Sequence, residues 1–264
     1  MSLAEIEAYW TERARQHRGA PAASWSDVHV MDLEVEALAA RLRDGERVLD
    51  VGCANGYSTV RLAARRHLQM RGLDYVPEMI EAARERVAEI RDSLAGSVEF
   101  AVGNVLDLQE PADHYDAVIL VRVLINLRTW ENQRQALEAC VRALRPGGKL
   151  LFSEATLQGL ARLNALRGRL GLDPIPAPDF NEYLDEERVG EFLAGKLERV
   201  ECVDFASTYY VGTRVLKPLV VRLGLSGMDV GNPHSRWNRF FARLPAWGDY
   251  GTQKLFVYRR PGPA

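Results

Sequence analysis

The chain has 264 residues, 47% of them hydrophobic, which is enough to bury a sizeable core as one domain or one domain with a cap. Its 34 Lys and Arg against 36 Asp and Glu give a formal net charge of −2. That balance lacks the basic excess of a protein whose affinity comes from phosphates, and so argues against a nucleic-acid partner. No stretch approaches the roughly 20 apolar residues of a membrane span, and Met1 to Arg18 is charged and amphipathic rather than of signal-peptide type. Cys53, Cys140 and Cys202 are spaced neither as a disulfide framework nor as a metal pattern. A cytoplasmic enzyme without a metal, a membrane or a nucleic acid is the expectation.

In chain order, Ser2–Arg18 reads as a helix with Leu3, Ile6 and Trp10 on one face. From Arg47 to about Thr156, short runs rich in Val, Ile and Leu alternate with amphipathic stretches, the pattern of βαβ units. The strands are predicted at Arg47–Val51, Gln69–Asp74, Val98–Val102, Ala117–Val121 and Lys149–Glu154, with helices at Tyr57–Arg66, Pro77–Ile90 and Trp130–Leu144. Pro77 suits a first helical turn, where its missing N–H has no partner to lose. Two further strands are expected at Leu197–Phe205 and Gln253–Tyr258. Together they describe a Rossmann-like α/β fold: a seven-stranded, mostly parallel sheet with helices on both faces. Residues 1–32 are expected as a lid helix and loop. Residues 156–182 and 206–252 are expected as cap insertions over the carboxyl ends of the strands.

The strongest motif is Asp50-Val51-Gly52-Cys53-Ala54-Asn55-Gly56-Tyr57. A hydrophobic strand ends in an acid, and a turn with two glycines then opens a helix, so the backbone can approach a ligand closely. A nicotinamide dinucleotide calls for G-x-G-x-x-G, but Ala54 stands at the second glycine and Gly56 comes too early for the third. The next strand ends in Gly72-Leu73-Asp74-Tyr75, which puts Asp74 about 20 residues past the turn, where an acid accepts from ribose hydroxyls.

With these two motifs, Val102-Gly103-Asn104-Val105, Asp116–Val121 and Arg145-Pro146-Gly147-Gly148, the chain resembles the class I S-adenosylmethionine-dependent methyltransferases from about Arg47 to Thr156. The resemblance implies S-adenosylmethionine as cofactor, held by Asp50, Gly52, Cys53, Ala54, Gly56, Asp74, Tyr75, Met79, Asn104, Val105 and Val121. Asn104 stands where the family commonly has Asp; its amide oxygen accepts from an adenine amino group without charge. Asn126-Leu127, Phe180–Leu184, Ser207–Tyr210 and Arg214 further resemble a subgroup acting on sugars or secondary metabolites.

On the acceptor side, Arg122 and Asn126 follow the fourth strand and are expected near the donor methyl, with Glu154 closing the fifth strand into the same crevice. His29, Glu154 and His234 are the candidate general bases, each weighed against a structural role. Aromatic residues outside the sheet (Tyr9, Trp10, Trp25, Tyr209, Tyr210, Trp237, Phe240, Phe241, Trp247 and Tyr250) are expected to pack the cap and to present faces that attract a sulfonium. The expected activity is methyl transfer to a small-molecule acceptor, a hydroxyl before an amine. An RNA or protein methyltransferase and a non-catalytic cofactor-binding protein are the alternatives. The acceptor's identity and the oligomeric state stay open.

Overall fold

A computed structural model describes residues 2–90, 94–225, 227 and 229–262. Seven strands form one sheet in the order β3-β2-β1-β4-β5-β7-β6. They are β1 (Arg47–Val51), β2 (Gln69–Asp74), β3 (Ser97–Val102), β4 (Tyr115–Val121), β5 (Leu144–Ala155), β6 (Glu198–Val203) and β7 (Gln253–Arg259). The pairs β1–β2, β2–β3, β1–β4 and β4–β5 are parallel, whereas β7 runs antiparallel to both β5 and β6. The chain starts at β1, builds outward to β3, then returns to add β4 on the other side of β1. This reversal opens a crevice at the carboxyl ends of β1 and β4, the place where open α/β sheets bind ligands.

Helices cover both faces because successive residues of each strand point to opposite sides. Along β4, Ala117 and Ile119 join a cluster with Val35 and Leu38 of α2 (Val28–Ala39) and Leu62 of α3 (Tyr57–Arg65). Val118 and Leu120 join the opposite cluster, with Leu137 and Cys140 of α5 (Trp130–Ala143). The sheet is thus apolar on both faces, which is why its strands read as near-continuous Val, Ile and Leu runs. α4 (Pro77–Ile90) lies between β2 and β3, where Ile80, Ala83 and Val87 pack on Phe100.

The N-terminal helix α1 (Leu3–His17) opens with a capping box between Ser2 and Glu5. Met1 lies outside the described residues. Past β5, α6 (Leu157–Arg169) is capped by the Thr156 hydroxyl, and irregular chain leads on to α7 (Glu186–Leu193). Between β6 and β7, α8 (Ser207–Tyr210) runs through one π-helical stretch, Val211–Leu216, into α9 (Lys217–Arg222), and α10 (Arg236–Phe241) follows. The sequence placed β1, β2 and α4 at their observed bounds. It made β5 too short by leaving out the Pro146-Gly147-Gly148 bend, where the pairing with β4 shifts register.

From the segment 206–252, Tyr210 and Thr252 reach the crevice at the carboxyl ends, and polar bonds to the start of α2 hold the segment in place. Asp27, the N-cap of α2, accepts from the Tyr209 hydroxyl at 2.7 Å and from Arg214 Nη2 at 3.0 Å. Asn238 of α10 donates to the Tyr209 hydroxyl at 2.9 Å, and the fully buried Lys217 ammonium reaches Asn238 Oδ1 at 3.0 Å. These buried polar groups fasten the segment against the flank of α2.

The turn after β1 has little steric freedom. Gly52 has φ +75°, and a Cβ there would lie 2.3 Å from Val123 Cγ2. Gly52→Ala should therefore lower stability by about 1–3 kcal/mol through strain and overpacking, read from denaturant midpoints. Gly147→Ala, at φ +78° but with nothing within 4 Å of the added methyl, should cost only the backbone strain.

Candidate active site

Four tight structures meet at the carboxyl ends of β1, β2 and β4. The first is the loop Gly52–Gly56, which passes through left-handed φ at Gly52 (+75°), Ala54 (+48°) and Gly56 (+70°). It is tied to the end of β2: Gly52 and Cys53 N–H both donate to Leu73 O, at 2.7 and 2.9 Å, and Ala54 N–H donates to Asp74 Oδ2 at 2.9 Å. The second is the β2 end itself, where Val76 N–H donates to Asp74 Oδ1 at 3.0 Å. Burial pushes the Asp74 carboxyl up to about 6 against these amide donors. Asp50, buried beneath, accepts from Thr59 Oγ1 and is pushed up to about 7, first by burial.

The third structure is the Gly103–Val105 turn after β3. Gly103 N–H donates to Asp74 O at 2.9 Å, and Asn104 Oδ1 accepts from Leu106 N–H at 2.9 Å. The fourth is the turn after β4, where Arg122 itself takes φ +56°. Its guanidinium pairs with Glu34 of α2, which is wholly buried and also accepts from Ser153 Oγ and from Gln253 Nε2. The same guanidinium stacks 4.7 Å from the Trp25 ring centroid. Asn126 donates through Nδ2 to Arg122 O at 2.7 Å and accepts from Asn181 Nδ2 at 3.2 Å.

These structures line one cavity of about 480 Å³, within the ~300–1,000 Å³ typical of small-molecule sites. Asp50, Gly52, Cys53, Ala54, Asp74, Tyr75, Met79, Asn104, Val105, Val121, Arg122 and Asn126 all border it. Gly56 does not. It forms the N-cap of α3, and a Cβ there would lie 2.7 Å from Phe100 Cζ. α1 closes the cavity with Tyr9, Trp10 and Arg13, joined by Trp25 and by Phe180, Asn181 and Tyr183 from the chain before α7. The Tyr9 and Phe180 rings stand 5.3 Å apart, which joins the two sides of the roof.

The three expected bases are all elsewhere. Glu154 is wholly buried: Val123 and Leu124 N–H donate to its Oε1 at 2.8 Å each, and Ile125 N–H donates to Oε2 at 3.3 Å. It is the cap of the turn after β4, and it lies behind the cavity wall. His29 does not border the cavity; its ring lies 6.3 Å from that of Tyr209, and burial lowers its pKa. His234 is exposed on the 206–252 segment, and its N–H donates to Asn232 Oδ1. The aromatic surplus divides in the same way. Tyr210 borders the cavity, but Trp237 packs on Phe241 and Trp247 is 86% exposed to solvent. The sequence reading did not assign Tyr9, Trp10, Arg13, Asn55, Phe180, Asn181 and Tyr183 to the site. Their only signal was aromatics on one face of an amphipathic helix and the Phe180–Leu184 motif.

Residues 48–148 match a family described as a methyltransferase domain. Among proteins similar to this chain, O-methyltransferase rstn1 of Aspergillus nomiae is 29% identical over 51% of this chain and 60% of its own length. Methyltransferase GfsG of Streptomyces halstedii is 28% identical over 77% of this chain and 72% of its own. The chain spans 38% to 60% of the length of the first four curated relatives. A crystal structure of magnesium protoporphyrin IX methyltransferase from Synechocystis shares the fold, with a TM-score of 0.63 at 16% identity over 98% of this chain and 100% of that one. In this chain the sheet forms the carboxyl-end crevice, and α1 and the chain before α7 build the roof over it.

Removing the Glu154 carboxylate strands three buried amide donors, each worth about 1–3 kcal/mol when unsatisfied. Glu154→Ala should lower the unfolding free energy by several kcal/mol, and Glu154→Gln, which retains one acceptor oxygen, by clearly less. Equilibrium denaturation of the two variants checks the order.

Proposed function

We propose that this chain transfers a methyl group from S-adenosylmethionine to a hydroxyl of a small-molecule acceptor of secondary-metabolite type. The observation that carries the reading is the cavity itself, with the glycine turn and Asp74 at one end and an aromatic roof with paired Asn126 and Asn181 at the other. The residues fit the cofactor on the chemistry of their donor set. Asp74 is a buried carboxylate at the end of β2, with lone pairs to spare beyond its two amide contacts, as a ribose diol requires. Asp50, Gly52, Cys53, Ala54, Tyr75, Met79, Asn104, Val105 and Val121 complete its bed, with Gly56 shaping the turn from behind. When bound, the cofactor supplies an electrophilic methyl carbon on a sulfonium sulfur.

The chain's own contribution is positioning and dryness. Trp25, Tyr9, Trp10, Phe180 and Tyr183 exclude water, and their faces suit a neighbouring cation. Asn126 and Asn181 present amide groups at the acceptor end. Arg122, turned inward to Glu34, orders the turn that carries Asn126 and has no free charge for a phosphate backbone. This favours a small acceptor over RNA. Residues 2–32 and the chain at 178–183 act as the lid. No histidine lines the cavity among the described residues, so the acceptor hydroxyl is one acidic enough to need no imidazole, such as a phenol or enol.

Calorimetric titration tests the reading: S-adenosylhomocysteine should bind and NAD should not. Binding of NAD alone would overturn it. Asp74→Ala and Asp74→Asn should each weaken S-adenosylhomocysteine by about 1–3 kcal/mol, the range for hydrogen bonds to a charged group, with the Asn variant retaining the native fold by circular dichroism. The ionised carboxylate is the form that accepts from both hydroxyls, and its pKa is about 6. Affinity should therefore be flat above pH 7 and fall as the pH drops through 6. In Asp74→Asn that fall should disappear.

A further inference from the structure

Half of the large hydrophobic residues exposed among the described residues lie in the segment 206–252: Leu216, Leu223, Leu225, Val230, Phe240 and Trp247. The same segment carries six Arg and Lys against two Asp, in a chain whose formal net charge is −2. Apolar exposure and positive charge are thus concentrated in one insertion.

α10 arranges the two on one face. Trp237, Asn238 and Phe241 turn inward: the Trp237 indole N–H donates to Gly212 O at 2.8 Å, Asn238 is buried against Tyr209 and Lys217, and the Phe241 ring lies against Gly212. At 3.6 residues per turn, the opposite side carries Arg236, Arg239 and Phe240. Ala242 N–H on Asn238 O and Arg243 N–H on Phe240 O continue the turn far enough to add Arg243. All four of these side chains are exposed, Phe240 by 59%. Among the described residues none of the three arginines forms an ion pair or a side-chain hydrogen bond, whereas Arg214 of the same segment pairs with Asp27. Trp247 follows on a backbone that is tied down: its N–H donates to Thr208 Oγ1 at 2.8 Å, and that hydroxyl donates to Pro245 O at 2.8 Å. The fixed backbone nonetheless holds the indole almost entirely in water.

Arginines flanking aromatic rings match the surface of an anionic bilayer. The guanidinium groups meet lipid headgroups, while their stems and the rings lie at the apolar boundary, where amphipathic and aromatic side chains are favoured. RNA would also attract the arginines, but the exposed Leu223, Leu225 and Val230 suit acyl chains and not a phosphate backbone. No helix among the described residues is long and apolar enough to cross a membrane, so the contact is with its surface. We infer that the outer face of α10, with Trp247, docks on membranes that contain anionic phospholipid. The inference stands apart from the methyl-transfer reading, because none of Arg236, Arg239, Phe240, Arg243 and Trp247 borders the cavity. It bears on that reading all the same, since Tyr210 and Thr252 of the same segment do border it.

Co-sedimentation of the full chain with vesicles tests this. Vesicles of phosphatidylglycerol and phosphatidylcholine in equal parts should pull down the protein, and phosphatidylcholine alone should do so at least tenfold less well. High salt should release it, because screening shortens the reach of the headgroup charge. Each arginine at an anionic surface is worth roughly fivefold in affinity, so the triple variant Arg236→Ala, Arg239→Ala, Arg243→Ala should bind about a hundredfold more weakly. Trp247→Ala should lose roughly tenfold through apolar contact alone and keep the salt dependence. Both variants should bind S-adenosylhomocysteine as the unaltered protein does, which separates a lost docking face from a lost fold. Equal binding to both kinds of vesicle, or undiminished binding in both variants, would overturn the inference. So would no binding to the mixed vesicles. In that event, polyuridylate binding lost in the triple variant would mark the face as one for RNA, and self-association lost in Trp247→Ala, read by sedimentation, would mark it as an interface between copies of the chain. Failure of the methyl-transfer reading would show separately, as no affinity for S-adenosylhomocysteine in the unaltered protein.

Discussion

The loop after β1 does not hold its own shape; the end of β2 holds it. Leu73 O accepts from both Gly52 and Cys53, and Asp74 Oδ2 accepts from Ala54. These three bonds keep Gly52, Ala54 and Gly56 at positive φ, a conformation that an isolated segment would leave. The same carboxylate borders the cavity. Asp74 is therefore both the template of the turn and an acceptor presented to a ligand, and its burial follows from the first task. Gly103 N–H on Asp74 O extends the same node to β3. Three neighbouring strand ends are thus fixed relative to one another by one dipeptide, Leu73-Asp74.

A second node fixes the other half of the crevice, and it is ionic. Glu34 accepts from Arg122, Ser153 and Gln253, so α2, the turn after β4, β5 and β7 all meet at one buried carboxylate. Buried ion pairs contribute little net stability once desolvation is counted. What this one provides is register: it holds Arg122 at φ +56° and so aims the turn that ends in Asn126. Glu154 completes that turn from below by taking its three free amides. Both acids spend themselves on backbone and side-chain order rather than on the cavity.

The sheet was legible because its information is local. Runs of Val, Ile and Leu bounded by Gly, Pro and Asp recur at β1, β2 and β4, and the glycine turn followed by Asp74 is a pattern within some 20 residues. Long-range partners leave no such trace. Glu154 reads as an acid at a strand end, and nothing near it in sequence says that amides 29 to 31 residues earlier claim its oxygens. The segment 206–252 reads as an aromatic-rich insertion, but Asp27, more than 180 residues before Tyr209 and Arg214, decides which side of the sheet it covers. Conversely, α1 was legible as an amphipathic helix, and its place over the cavity depends on Asn55 reaching the carbonyls of Arg18 and Ala20.

The distribution of titratable groups bears on where an acceptor proton goes. With neither His29 nor His234 bordering the cavity and Glu154 capped, the carboxylates bordering it among the described residues are Glu7, Asp50 and Asp74. Asp50 is hydrogen-bonded to Thr59, and Asp74 to the backbone; both sit at the cofactor end. A carboxylate is an effective base only toward a group whose own pKa is not far above it, because proton transfer follows Brønsted behaviour. A phenol, with a pKa of about 10, lies far closer to such a base than an aliphatic alcohol does, and it can give up its proton as the methyl transfers. The aromatic lining suits a flat, conjugated acceptor for the separate reason of packing. On the function proposed above, acidity and shape favour the same kind of hydroxyl, which would leave the protein orientation and exclusion of water as its part of the reaction.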